Sequence, residues 1–282
     1  MTKLHRSGSA LFVLPSLIIF LFIVVFPFFR GFAISFTDWD GVARTMERVG
    51  FANYGRIFTT DSILIPFRNS LVFTAVTLVL DNFLGLGLAL LLTASTRRAA
   101  LLRVVFFLPF IISLVVSSYM WTYLYSSVLY PVFGLKNPLG DPATSNLGVA
   151  LISVWRNTGY CMLIYIAGLK SIPGSLYEAA EVEGAGPVKR FFRVTVPLLM
   201  PSFSVNLTLI LAWGLKEFDT VMVATGGGPG RSSMSLAYYV YKTTFVWSKA
   251  GYGQAIAMVM MAFIVIVSVA VARALRAREV DL

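Results

Sequence analysis

The sequence has almost none of the residues that metal and redox chemistry require. One cysteine (Cys161) and one histidine (His5) in 282 residues exclude a disulfide framework, a haem held by two histidines and a Cys/His zinc site. Charge is scarce as well: 13% of the residues are Asp, Glu, Lys or Arg, against about 25% in an ordinary soluble domain. Low-complexity runs, long charged tails and any stretch polar enough for a separate soluble domain are also missing. In their place stand 57% hydrophobic residues and a mean hydropathy of +0.80. A soluble chain of this length could not hide that much apolar surface. A soluble enzyme, a disordered chain and a fibrous protein are therefore excluded, and the composition is that of a membrane protein. The excess of 23 Lys and Arg over 13 Asp and Glu then reads as topology and lipid contact rather than nucleic-acid binding.

A helix that crosses a bilayer needs about 20 mostly apolar residues. Six stretches qualify, over residues 10–29, 70–93, 104–126, 147–169, 198–216 and 252–272. The first follows Lys3 and Arg6, and its apolar core is too long for a cleaved signal, so it reads as a retained signal anchor. Basic residues fall densely in three short segments that would share a side with the N-terminus. These hold Arg97, Arg98 and Arg103, then Lys170, Lys189, Arg190 and Arg193, then Arg273, Arg276 and Arg278. That density predicts both termini in the cytoplasm. The expected organisation is a signal-anchor helix and external loop over 1–69, a five-span core over 70–275 and a tail over 276–282. Trp39, Tyr54, Tyr130, Tyr238, Tyr239 and Trp247 in the outer loops suit an interfacial aromatic belt.

The segment between the fourth and fifth spans is dense in helix signals. Ser175 can cap a first turn and Glu178, three residues on, can complete a capping box. Residues 176–183 then read as two helical turns ended by Gly184 in a left-handed conformation. Pro187 suits the first turn of a second short helix through Arg193, and Pro197 and Pro201 open the fifth span. Glu178, Glu181 and Val182 share a face. Beside them Ala179 and Ala180 offer a small-residue surface that another protein could clasp; the alternative is a solvated connector.

These residues resemble a known family. Glu178-Ala179-Ala180, with Gly184-Ala185, Phe191-Phe192 and Val196-Pro197 following, resembles the EAA loop of the transmembrane subunits of binding-protein-dependent ABC importers. Further likenesses are those of the sugar-importing permeases: Ser35-Phe36-Thr37-Asp38-Trp39, Phe51-Ala52-Asn53-Tyr54, Asn69-Ser70, Phe107-Leu108-Pro109, Phe218-Asp219 and Thr225-Gly226-Gly227-Gly228-Pro229. The resemblance implies an all-α integral membrane protein of six transmembrane helices, with the type I ABC importer permease fold and both termini inside. It implies a subunit that forms the channel and binds no cofactor, with ATP and magnesium held by a partner ATPase. Expected partners are a second permease subunit of different sequence, the ATPase dimer, an extracytoplasmic binding protein, a sugar and the lipid bilayer, with no nucleic acid. The expected location is a bacterial or archaeal cell (inner) membrane, crossed several times. Carried onto this sequence, the ATPase-coupling residues are Glu178, Ala179, Ala180, Glu181 and Gly184.

Polar residues inside a bilayer are costly and usually face the bundle interior. On the fourth span Ser153, Asn157 and Tyr160 recur at helical spacing. On the fifth, Asn206, Trp213 and Glu217 do the same. Aromatic faces beside amides and carboxylates suit a sugar, through stacking on its ring and hydrogen bonds to its hydroxyls. In the family, the fourth and fifth spans carry the sugar contacts. These six positions are the expected substrate pathway; the alternative is interhelical packing. Asp81, Thr74 and Thr77 form a third polar stripe, read as structural. Arg156 is open between a pairing with Asp81, a partner's carboxylate and an anionic substrate.

Residues 226–232 lack the glycine spacing and the lysine of a phosphate-binding loop and are expected to form a flexible external hairpin facing the binding protein. Alternatives for the substrate are a polyol or glycerol phosphate. An ion-coupled secondary carrier would want internal repeats and buried carboxylates, and a membrane-embedded enzyme would want paired catalytic groups. For the carrier, Asp81 is the one strong candidate and no repeat is evident; for the enzyme, no carboxylate pair faces one site and there is no second His or Cys.

Overall fold

The computed structural model describes residues 13–277. Lys3, His5, Arg6 and Arg278, singled out above, lie outside the described residues. Among the described residues there are helices, connecting turns and one isolated bridge between Thr37 and Arg48.

The helices used below are α1 (Val13–Ile34), α2 (Ala52–Thr59), α3 (Leu64–Leu92), α4 (Arg97–Ile111), α5 (Leu114–Phe133) and α6 (Ser145–Ser171). They continue with α7 (Gly174–Val182), α8 (Pro187–Leu198), α9 (Met200–Leu215), α10 (Asp219–Ala224), α11 (Leu236–Tyr241) and α12 (Ala250–Arg276). Four of them, α1, α3, α6 and α12, are long and apolar enough to cross a membrane, and the number rises to six if each of two bent pairs is one span.

Those pairs depart from the straight spans expected. The third apolar run is broken where Ile112 and Ser113 adopt extended backbone, and α4 and α5 meet at 99°. Pro109 in the last turn of α4 removes one backbone donor and favours a break nearby. The fifth run bends by 63° between α8 and α9, with Pro201 in the first turn of the second helix, where a proline costs no hydrogen bond.

Backbone contacts group the described residues into two compact units. One comprises residues 13–61 with 240–261, the other residues 62–239 with 262–277. In the first unit the Ser35–Trp39 segment folds onto the start of α12. Gly251 donates to the Trp39 carbonyl at 2.8 Å, and a Cβ on Gly251 would stand 1.9 Å from the Thr37 carbonyl oxygen, so only glycine fits there. Asn53 donates to the carbonyls of Ser35 and Thr37 at 2.9 and 2.8 Å, and Tyr54 shares a 2.7 Å hydrogen bond with Ser35. The Asp40 carboxylate accepts from Ala43 and Val42, and those bonds hold its pKa below the usual carboxylate range.

In the second unit α6 packs against α3, α4 and α9. The crossings run through small residues, as close helix approach in membranes requires. A Cβ on Gly159 would come within 2.0 Å of the Phe106 carbonyl oxygen of α4, one on Gly85 within 2.7 Å of Cys161, and one on Gly214 within 2.8 Å of Thr74. Cys161, Met162, Tyr165 and Ile166 of α6 form a core with Ala89, Leu92 and Ile210. Arg103 closes the end of α3, its Nε donating to the Leu92 carbonyl at 2.8 Å, a cation at the helix end where the dipole favours it.

Tyr238 and Tyr239 are buried, and Tyr239 donates to Ser62 at 3.1 Å. They are packing residues, a correction to the interfacial belt expected of them.

Candidate functional site

Two regions gather the residues singled out in the sequence. The first is a cavity of about 460 Å³ lined by Phe110, Leu114, Ser153, Arg156, Asn157, Trp213, Lys216, Glu217, Phe218 and Asp219. It lies where Ser153, Arg156 and Asn157 of α6 meet Trp213 of α9 and the turn that follows α9, and the α4–α5 break brings Phe110 and Leu114 to its wall. Tyr160 lies beside it: Phe110 stacks on Tyr160 at 4.7 Å between ring centroids, Tyr160 meets Trp213 at 5.4 Å, and Phe110 meets Trp213 at 6.0 Å. The three rings form one aromatic group.

Polar groups face the same space. Arg156 donates to Asn157 Oδ1 at 3.2 Å, and its guanidinium carbon stands 5.0 Å from the centre of the Phe110 ring, within cation–π range. Arg156 makes no ion pair among the described residues and so does not pair with Asp81. The Glu217 carboxylate instead accepts from the Thr220 backbone N–H at 2.8 Å, satisfying a free donor at the start of α10.

Of the six expected pathway residues, Ser153, Asn157, Trp213 and Glu217 line the cavity and Tyr160 adjoins it. Asn206 does not line it: it is fully buried and donates to the Cys161 carbonyl at 3.3 Å, joining α9 to α6. Phe110 was not among the expected residues. The sequence signal for it was Pro109, a proline inside an apolar run.

The second region is the α7–α8 pair. Gly184 has φ +75°; its N–H bonds to the Glu181 carbonyl at 2.9 Å and that of Ala185 to the Ala180 carbonyl at 2.9 Å, a Schellman closure. Pro187 opens α8. The start of α7 differs from expectation. The helix begins at Gly174 with Pro173 in the cap position and no side-chain cap bond, so the Ser175–Glu178 capping box does not form. Glu178, Ala179, Glu181 and Gly184 are exposed and Ala180 is half-buried. Tyr177 shares a 3.1 Å hydrogen bond with Thr195 and Arg190 pairs with Glu181 at 2.7 Å, so the two helices are tied together. Val182, Val188 and Phe192 stand exposed.

The glycine-rich segment is pinned, where a flexible hairpin was expected. Asn69 donates to the carbonyls of Arg231 and Met234 at 2.9 and 3.2 Å, the Leu236 N–H donates to Ser70 at 2.8 Å, and Ser145 and Ser232 share a 2.6 Å hydrogen bond. Gly226 and Gly227 have φ +58° and +82°, the left-handed region that glycine occupies without strain.

Among the described residues no three metal-ligating side chains come together.

Residues 81–279 match the model of the family described as binding-protein-dependent transport system inner membrane component. The chain is 32% identical to the probable starch degradation products transport system permease protein AmyD of Thermoanaerobacterium thermosulfurigenes, over 96% of this chain and 95% of that protein. It is 31% identical to the multiple sugar-binding transport system permease protein MsmF of Streptococcus mutans, over 94% of each. Its fold is similar to that of a chain in a bacterial ABC transporter that imports the acidic polysaccharide alginate, with a TM-score of 0.81, 18% identity and 96% of both chains covered. The chain therefore belongs to the binding-protein-dependent transport system inner membrane components: it is a multi-pass, non-catalytic permease subunit of an ABC importer, whose ATPase is a separate subunit.

Proposed function

We propose that this subunit forms half of the channel through which a carbohydrate, delivered by an extracytoplasmic binding protein, crosses the membrane. The observation that carries this reading is the cavity, where three aromatic rings stand beside an amide, a guanidinium and carboxylates. Apolar ring faces need stacking surfaces and hydroxyls need both donors and acceptors. AmyD and MsmF, named for starch degradation products and multiple sugars, support the same substrate class.

The bent pairs each count as one span in this reading, giving six with both termini in the cytoplasm of a bacterial or archaeal cell. The partners are a second permease of different sequence, an ATPase dimer that holds ATP and magnesium, and the binding protein. The α7–α8 pair meets the ATPase, Glu178 being the contact and Ala179, Ala180, Glu181 and Gly184 the surface around it. Closure of the ATPase dimer on ATP moves a helix pair tied by Tyr177–Thr195 and Arg190–Glu181 as one body, and the motion passes into α6 and α9.

Reconstituted uptake tests both halves. Glu178→Lys assembles and leaves uptake uncoupled from ATP hydrolysis; wild-type uptake by that variant would sink the coupling assignment. A second reading, an acidic or phosphorylated saccharide, is favoured by one observation: Arg156 lines the cavity without an ion-pair partner among the described residues, and its planar fork suits carboxylate or phosphate. Competition by neutral and acidic sugars for uptake separates the two.

A further inference from the structure

Between α9 and the end of α12 lies a groove of about 400 Å³, separate from the cavity described above. Ser204, Val205, Thr208 and Leu209 line it from one face of α9, and Ala272 and Arg276 line it from α12. Its volume is in the range of small-ligand sites. The groove opens at the end of a span, because Arg276 is the last residue of α12. Pro201, also at its wall, stands in the first turn of α9.

Hydroxyls beside this groove lack the partners that hydroxyls elsewhere in the bundle have. Thr74, Ser118 and Thr158 each donate to the carbonyl four residues back, at 2.6, 2.8 and 2.7 Å. Ser204 is only 9% exposed, and its Oγ has no hydrogen-bond partner among the described residues. Ser268, one turn before Ala272 on the same face of α12, also has a buried Oγ without one. A buried hydroxyl left unpaired costs free energy, so two beside one groove point to a ligand that supplies acceptors. Arg276 is exposed and makes no ion pair among the described residues.

Away from that end the same stripe of α12 turns apolar. Val265, Val269, Ala272 and Arg276 follow at spacings of four, three and four, which is one helix face, and both valines are exposed. The track therefore has a cation at its mouth, hydroxyls within and an apolar surface beyond. That order matches a molecule with an anionic head, ester oxygens and a hydrocarbon tail. A helix of another subunit has its backbone acceptors already engaged within itself, whereas phosphate and ester oxygens are free to accept.

We propose that this groove binds one anionic phospholipid. Arg276 holds the phosphate with its planar fork, Ser204 and Thr208 donate to phosphate or ester oxygens, and an acyl chain lies along Val269 and Val265. The site requires only that α12 cross the bilayer, whichever path the sugar takes.

Native mass spectrometry of the complete, delipidated importer, titrated with palmitoyl-oleoyl phosphatidylglycerol, tests the site. Wild type binds one more molecule per copy of this chain than Thr208→Trp, whose side chain fills the groove. Binding there is at least about fivefold tighter than that of phosphatidylcholine with the same chains, the factor that one basic residue at an anionic surface contributes. Arg276→Gln lowers the affinity about fivefold, and Ser204→Ala about threefold, through loss of one hydrogen bond in a membrane. Arg273→Gln, in the same last turn of α12 but outside the groove, changes it less than twofold.

Equal effects of Arg273→Gln and Arg276→Gln would mean diffuse attraction of lipid to a basic helix end and overturn the site. Equal binding of phosphatidylcholine overturns it too, as does displacement of phosphatidylglycerol by inorganic phosphate, the behaviour of a bare anion site. Cross-linking of Thr208→Cys to another subunit assigns the groove to protein and also overturns it. Should Thr208→Trp fail to assemble, Arg276→Gln and Ser204→Ala carry the test with the same expected changes.

Discussion

The helices α1 and α6 are both long enough to cross a bilayer, yet they are built in opposite ways. α1 is strongly apolar and almost wholly exposed, with Phe22, Ile23 and Phe29 among its bare side chains. α6 is the least apolar of the four long helices and the most buried, with Ser153, Asn157, Thr158, Gly159 and Tyr165 inside. In water this order would be reversed. In a bilayer the solvent is hydrocarbon, so an apolar surface can stay outside, while polar and small residues gather where helices touch or where a cavity is lined. Polarity within a span therefore marks the working helix, and α6 carries the cavity on one face and the close crossings on another.

The largest expected effect on this contrast comes from its tightest crossing. Gly159→Leu would drive a side chain into the Phe106 carbonyl, and the displaced backbone should cost at least about 3 kcal/mol. Thermal unfolding of the purified complex reads the loss. Phe22→Leu on α1, an apolar exchange at an exposed position, should leave the transition within about 0.5 kcal/mol of wild type. Equal losses from the two would erase the contrast.

Next comes Trp213→Ala, which removes one ring of the aromatic group and should lower sugar uptake about tenfold through lost stacking, with assembly intact by size-exclusion chromatography. Uptake at the wild-type level would mean that α6 is polar for packing alone. Smaller again is Tyr165→Phe, which deletes the 2.6 Å bond to Asn82. It should destabilise the complex by about 0.6 kcal/mol, the mean for such bonds in membranes. Smallest is Arg190→Ala: the Glu181 carboxylate of its pair is largely in solvent, so loss of the pair should cost under about 0.5 kcal/mol, read from the same unfolding transition.

The sequence makes the helical class and the long apolar runs legible because a bilayer demands about 20 apolar residues per crossing. The observed α6 differs from its expected bounds by two residues at each end. Local breaks are harder to read. Pro109 gave notice of a disturbance, but the extended residues are Ile112 and Ser113, three and four positions on, and nothing in their side chains requires it. The glycine-rich segment read as flexible because glycine loosens a chain; the side chains that pin it, Asn69 as donor and Ser70 as acceptor, come from more than 160 residues away, beyond the reach of local pattern. At the cavity, periodicity brought Ser153, Asn157 and Trp213 together but could not tell Asn206 apart, since an amide that lines a cavity and one that bonds a neighbouring carbonyl have the same spacing.

The central claim, that α6 is polar because it walls the path of the sugar, is tested most directly by thiol labelling of Ser153→Cys in the reconstituted importer. Cys161, the one native thiol, is fully buried and should stay silent. The account predicts that a water-soluble maleimide modifies the new thiol and that transported sugar, supplied with its binding protein and ATP, slows the reaction. A thiol that never reacts, or one that reacts at the same rate with and without sugar, would contradict it.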